Sequence, residues 1–123
     1  MATKILITDD EEELRNVLKQ SMENAGYEVV TAGNGREAVE RVNLDAPDLV
    51  LMDVMMPEMN GFDAMRKIKE NPSTAHIPVV MLTALDDDMN TAKGWKMGTS
   101  LYLKKPFVPA QLISYIKLIL DLD

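Results

Sequence analysis

The feature that most constrains this chain is a set of five short apolar runs: "KILIT" (4–8), "YEVVTA" (27–32), "DLVLMD" (48–53), "PVVMLT" (78–83) and "LYLKK" (101–105). Each has the length of a β-strand. The first, third and fourth are almost continuously apolar, which suits central strands of a parallel sheet covered on both faces. The second and fifth are more mixed, as edge strands can be.

Amphipathic segments lie between these runs. "EEELRNVLKQSMENAG" sets Leu14, Val17, Leu18, Met22 and Ala25 on one helical stripe and ends at Gly26, a residue suited to the position just past a helix. "GREAVERVNLD" carries Ala38, Val39 and Val42, "FDAMRKIKEN" carries Phe62, Met65 and Ile68, and "VPAQLISYIKLIL" carries Leu112, Ile113, Ile116, Ile119 and Leu120. In "DDDMNTAKGWKMG", Ala92 and Trp95 mark the inner face and Gly94 lowers helix propensity. Strand then helix, five times over, predicts an α/β fold: a doubly wound, flavodoxin-like (βα)5 domain with a five-stranded parallel sheet, order 2-1-3-4-5, and helices on both faces. With 123 residues, residues 1–123 are expected to form a single domain around one core.

Composition removes several function classes. There is no cysteine and one histidine, His76, so disulfides, thiol nucleophiles and multi-histidine metal sites are excluded. The net charge of −7 opposes binding to phosphate backbones, and no direct nucleic-acid partner is expected. No apolar run approaches the roughly 18 residues of a membrane span, and the N-terminus lacks a signal-peptide pattern, so a cytoplasmic protein without membrane insertion is expected.

In a sheet of this order ligands sit beyond the carboxyl ends of the strands, beside the switch point between the first and third. The residues that follow the apolar runs there are Asp9 and Asp10, Asp53, Thr83 and Lys105, whereas the second run ends in Ala32 and Gly33. Each has an ordinary reading: helix caps for the first acids, a turn residue for Asp53, a strand or cap residue for Thr83, a surface lysine for Lys105. Their convergence on one edge favours a site. Apposed carboxylates call for a cation, and oxygen-only ligands suit Mg²⁺, with Mn²⁺ able to substitute. A carboxylate flanked by a divalent ion, a lysine and a hydroxyl is equipped to accept a phosphoryl group, with Asp53 as nucleophile.

"ILITDDEEELR", "DLVLMDVMMPEMNGFD", "IPVVMLTAL" and "LYLKKPF" together resemble the successive blocks of the receiver domain of two-component response regulators. Receiver domains are themselves an instance of the 2-1-3-4-5 order, so order and resemblance are not independent. The resemblance implies Asp53 as phosphoacceptor, Asp9, Asp10 and Asp53 with the backbone carbonyl of Met55 as Mg²⁺ ligands, and Thr83 and Lys105 on the phosphoryl group. It makes Thr83 and Tyr102 the switch pair. It further implies a sensor histidine kinase or histidine phosphotransfer protein as donor, and a downstream protein that reads the face of the fourth helix, fifth strand and fifth helix. A signalling module rather than a turnover enzyme is expected, free-standing and without an effector domain. Gly61 is expected to let the chain turn into the third helix.

Two other readings stand beside this one. A Mg²⁺-dependent aspartyl-phosphate phosphatase of the haloacid-dehalogenase type needs a second Asp two residues after the nucleophile, where this chain has Met55. A receiver-like interaction module that is never phosphorylated would not need the acids, Thr83 and Lys105 together. The chain also departs from the DNA-binding members of the family, with "GTSLY" before the switch aromatic and Tyr115 and Lys117 where arginines often lie. Tyr115, Leu118 and Leu122 instead extend the apolar surface of the last helix, as a broad core contact or a docking face would.

Met55 and Leu85, each two residues beyond Asp53 and Thr83, match positions that govern how water reaches the phosphoryl group in the family, and neither side chain can orient a water. Slow self-dephosphorylation is expected, and Met55→Asn should accelerate it. Following the decay of the phosphorylated form by intact mass tests this, and equal decay of wild type and variant refutes it.

Overall fold

A computed structural model describes residues 3–54, 56, 59–83, 101–104 and 108–121. The elements are β1 (Lys4–Thr8), α1 (Glu12–Asn24), β2 (Glu28–Ala32), α2 (Gly35–Asp45), β3 (Leu49–Asp53), α3 (Gly61–Glu70), β4 (Val79–Thr83), β5 (Leu101–Lys104) and α4 (Pro109–Asp121). Every strand pairing is parallel, and the sheet runs β2-β1-β3-β4-β5. The α/β arrangement expected from the apolar runs is present. The helix expected in "DDDMNTAKGWKMG" lies outside the described residues, so α4 is the helix anticipated as the fifth.

The period of two in a strand sorts side chains between the faces. Ile5, Ile7, Leu49, Leu51, Val80 and Leu82 face Leu18 and Met22 of α1 and Leu112 and Ile116 of α4. Leu6, Val50, Met52, Val79 and Met81 face Ala38 and Val42 of α2 and Phe62, Met65 and Ile68 of α3. All five residues of β3 are buried, whereas β2 begins with an exposed residue. The contrast between continuous and mixed runs therefore reports position in the sheet.

Two positions assigned to the inner stripe of α1 turn outward, since Val17 is 51% exposed and Ala25 is also exposed. The buried stripe, Leu18 and Met22, is narrow because α1 lies over only part of the sheet and shares that face with α4. On α4, Leu118 is exposed and Tyr115 half-buried, with its hydroxyl accepting from Gln111 Nε2 at 3.3 Å. Leu122 lies outside the described residues.

The helix ends explain how the strands are aimed. Gly26 has φ 98°, Tyr27 N–H donates to Met22 O (3.1 Å) and Gly26 N–H donates to Glu23 O (3.0 Å), the paired bonds that close a helix through a left-handed residue. Asn34 caps α2 by accepting from Glu37 N–H at 2.8 Å, and Asn60 caps α3 by accepting from Asp63 N–H at 2.9 Å. Between α3 and β4, Lys69 Nζ donates to Ala75 O (3.1 Å) and Ile77 O (2.6 Å), and Thr74 Oγ1 donates to Ile68 O (2.7 Å). Those bonds fold the turn back so that Val79 enters the sheet beside Val50.

At the end of α2, Ala46 adopts φ 47° and ψ 59°, the only positive φ at a non-glycine among the described residues. A Cβ in this region costs about 1 kcal/mol. Ala46→Gly is therefore expected to raise unfolding stability by up to about 1 kcal/mol, less the extra chain entropy of glycine. Urea denaturation checks this, and a loss of stability would contradict it.

Candidate functional site

The register of β1 on β3 builds the site. Ile5 opposes Leu49, Ile7 opposes Leu51, and the last pair is Thr8 with Met52. One residue further, Asp9 and Asp53 continue the odd-numbered positions of their strands, so alternation sends both carboxylates to the same face at neighbouring strand ends. Asp9 is fully buried, Asp53 is 4% exposed and Asp10 lies at the surface. One carboxylate oxygen from each of Asp9, Asp10 and Asp53 lies within 4.8 Å of the others.

Main-chain bonds hold these residues in place. Asp9 N–H donates to Ala32 O of β2 at 3.2 Å, and Asp9 Oδ1 accepts from Glu11 N–H at 2.9 Å. Asp9 thus forms a turn ahead of α1 and does not cap the helix as the ordinary reading of the acids expected, and its carboxylate still reaches the cluster. Glu11 itself makes no side-chain cap. Beyond Asp53, Val54 N–H donates to Leu82 O (2.9 Å) and Gly61 N–H returns to Val54 O (2.9 Å), closing the loop into α3.

Gly61 is needed here for a reason other than the expected turn. Its φ is not in the left-handed region, but a Cβ on it would fall 2.2 Å from Asp53 O. Gly35 at the start of α2 is equally confined, since a Cβ there would lie 2.3 Å from Met59 O. The N-terminal turn of α3 therefore rests directly on the main chain of Asp53, and that of α2 on the main chain of Met59 in the loop that follows Asp53.

The cluster meets the requirements of a divalent oxygen-ligand site. At such a separation Asp9 and Asp53 repel by roughly 3 kcal/mol at an effective dielectric of about 20. A cation between them relieves that cost, and an all-oxygen donor set favours Mg²⁺ over zinc or copper. Thr83 closes β4 beside Lys104 of β5, and Tyr102 stands opposite Met81. Thr83 therefore lies on the strand next to β3, and Tyr102 one strand further out. Their side chains lie outside the described residues, as do Met55 and Lys105. A cavity of about 480 Å³ lined by Thr3, Asp48, His76 and Pro78 opens at the opposite edge, where the strands begin, and is unrelated to the acids.

The model of the response regulator receiver domain family matches residues 5–117. This chain belongs to that family. It is 35% identical over 120 residues to the alkaline phosphatase synthesis transcriptional regulatory protein PhoP of Bacillus subtilis, a match covering 98% of this chain and 49% of PhoP. It is 39% identical over 127 residues to the response regulator PleD of Caulobacter vibrioides, covering 98% of this chain and 28% of PleD. The receiver thus spans half or less of the length of these curated relatives. Among solved structures, the chemotaxis protein CheY4 of Vibrio cholerae superposes with a TM-score of 0.90 at 30% identity, covering 96% of this chain and 98% of that one.

Sequence reasoning placed Asp9, Asp10 and Asp53 together but treated Ala32 and Gly33 as inert. Ala32 O in fact holds Asp9, and Gly33 packs beside Arg15 and Glu37. The signal available was a glycine ending an edge strand just before a cap residue, which marks a close approach as readily as a turn. Gly61→Ala is expected to destabilise the fold by about 1–3 kcal/mol through overpacking and to slow phosphoryl uptake at Asp53. Denaturation and acetyl phosphate labelling together test this; unchanged values in both would show that α3 shifts freely.

Proposed function

We propose that this receiver domain is a phosphoacceptor switch in a two-component phosphorelay, with Asp53 accepting a phosphoryl group from a phosphohistidine on a sensor kinase or histidine phosphotransfer protein. The observation that carries the reading is the apposition of a nearly buried Asp53 with Asp9 and Asp10 at the carboxyl ends of β3 and β1. An Asp53 carboxylate oxygen attacks phosphorus as the P–N bond of the ring-protonated phosphohistidine breaks, the electron pair staying on nitrogen so that the donor leaves as neutral imidazole and Asp53 carries an acyl phosphate.

Asp9, Asp10 and Asp53, with the main-chain carbonyl of Met55, would hold Mg²⁺. Bound there, the ion neutralises charge on the carboxylates and phosphoryl oxygens. Thr83 hydroxyl donates to one phosphoryl oxygen and Lys105 supplies a positive partner to another. Drawing Thr83 towards the phosphoryl group makes room for Tyr102, so the face built from segment 84–100, β5 and α4 exchanges one arrangement for another and a protein target reads the difference. Attack of water on phosphorus restores the Asp53 carboxylate and releases inorganic phosphate. Residues 1–123 act as one receiver unit.

Intact mass after incubation with acetyl phosphate and Mg²⁺ tests this reading. Wild type should gain one phosphoryl group, whereas Asp53→Asn and wild type in chelator should gain none. No gain by wild type at any Mg²⁺ concentration would refute phosphoacceptor chemistry and leave a receiver-like interaction module.

A further inference from the structure

We propose that Arg15 is a positioning residue for the acidic cluster, holding the main chain of Asp9 so that its carboxylate stays aimed at Asp10 and Asp53. Arg15 lies one turn into α1, is half-buried, and its Nη1 donates to Asp9 O at 2.8 Å. The Asp9 main chain is thereby held at both ends, since its N–H donates to Ala32 O at 3.2 Å. Its carboxylate is tied a third time by Glu11 N–H at 2.9 Å. With the backbone fixed on both sides and Oδ1 on the Glu11 N–H, few rotamers remain, and the Asp9 carboxylate stays within 4.8 Å of those of Asp10 and Asp53.

Gly33 lies beside the guanidinium. A Cβ on Gly33 would sit 3.4 Å from Arg15 Nη1 and 3.7 Å from Glu37 Oε2, and Glu37 Oε2 accepts from Gly33 N–H at 3.2 Å. Arg15 from α1 and Glu37 from the first turn of α2 thus meet at Gly33, Arg15 binding the main chain of Asp9 and Glu37 that of Gly33. Arginine suits this role because its charge persists at any working pH and its rigid fork loses little freedom on binding a carbonyl.

The inference rests on the cluster being a cation site, and a group behind a metal ligand typically changes metal affinity by 10–100-fold. Mg²⁺ binding to unphosphorylated protein by isothermal titration calorimetry is the direct readout. Arg15→Ala is expected to bind Mg²⁺ about tenfold more weakly and to need correspondingly more Mg²⁺ for half-maximal uptake from acetyl phosphate. Its rate at saturating Mg²⁺ should stay within about twofold of wild type, because the attacking group is untouched. Arg15→Lys, keeping charge and one donor, should recover to within about threefold of wild-type affinity. Equal Mg²⁺ affinity of wild type and Arg15→Ala overturns the proposal, even if Arg15→Ala melts earlier. Should Arg15→Ala not fold, Arg15→Met, which keeps the aliphatic stem and removes the donors, replaces it: about tenfold weaker Mg²⁺ binding supports the proposal and unchanged binding overturns it. Wild type that binds no Mg²⁺ overturns the cation-site reading and this inference together, whereas normal wild-type binding with an unaffected variant overturns this inference alone.

Discussion

The parallel pairing of β1 with β3 is the constraint on which the rest depends. With Ile5 opposite Leu49 and Ile7 opposite Leu51, one more step brings Asp9 level with Asp53. A slip of one residue would send one carboxylate to the other face. That register is held because Leu6, Val50 and Met52 are committed to α2 and α3 while Ile5, Ile7, Leu49 and Leu51 are committed to α1 and α4. Moving β3 by one position would exchange every such commitment.

Burying carboxylates is costly, and the strand carries that cost through its neighbours. Leu49, Val50, Leu51 and Met52 are fully buried, and at roughly 1.5–3 kcal/mol each their burial contributes about 6–12 kcal/mol relative to exposure. Desolvating a carboxylate such as Asp53 costs several kcal/mol before partners are counted. The greasy run ahead of Asp53 is thus what permits a nearly buried acid there. It also removes freedom, because a strand covered on both sides cannot rotate its last side chain away from the cluster.

The helices complete the site through their ends rather than their sides. The first turn of α1 ties to Asp9, that of α3 touches the main chain of Asp53 through Gly61, and that of α2 touches the main chain of Met59 through Gly35. All three present N-terminal ends on the edge where the acids sit, and the partial positive charge of a helix start favours anions there. The arrangement suits chemistry at phosphorus in two ways, since positioning and charge are most of what phosphoryl transfer asks of a protein.

Much of this was legible in the residues themselves. Run length and continuity pointed to strands and to which were central, because burial on both faces leaves a compositional trace. The acids after "KILIT" and "DLVLMD" were visible because strand ends follow apolar runs. Val17 and Ala25 misled because a helical stripe shows which residues share a face, not how much of that face the sheet covers. The support around Asp9 left no such trace, since Arg15 is an ordinary helical residue and Ala32 belongs to another strand. By itself, then, the sequence determined the strands, the sheet edge and the identity of the acids, because these follow from local periodicity. Only the tertiary structure decided that Ala32 and Arg15 hold Asp9 and that Gly61 must lack a side chain. Those are contacts between separate segments, and their distances exist only once register and packing have brought the segments together.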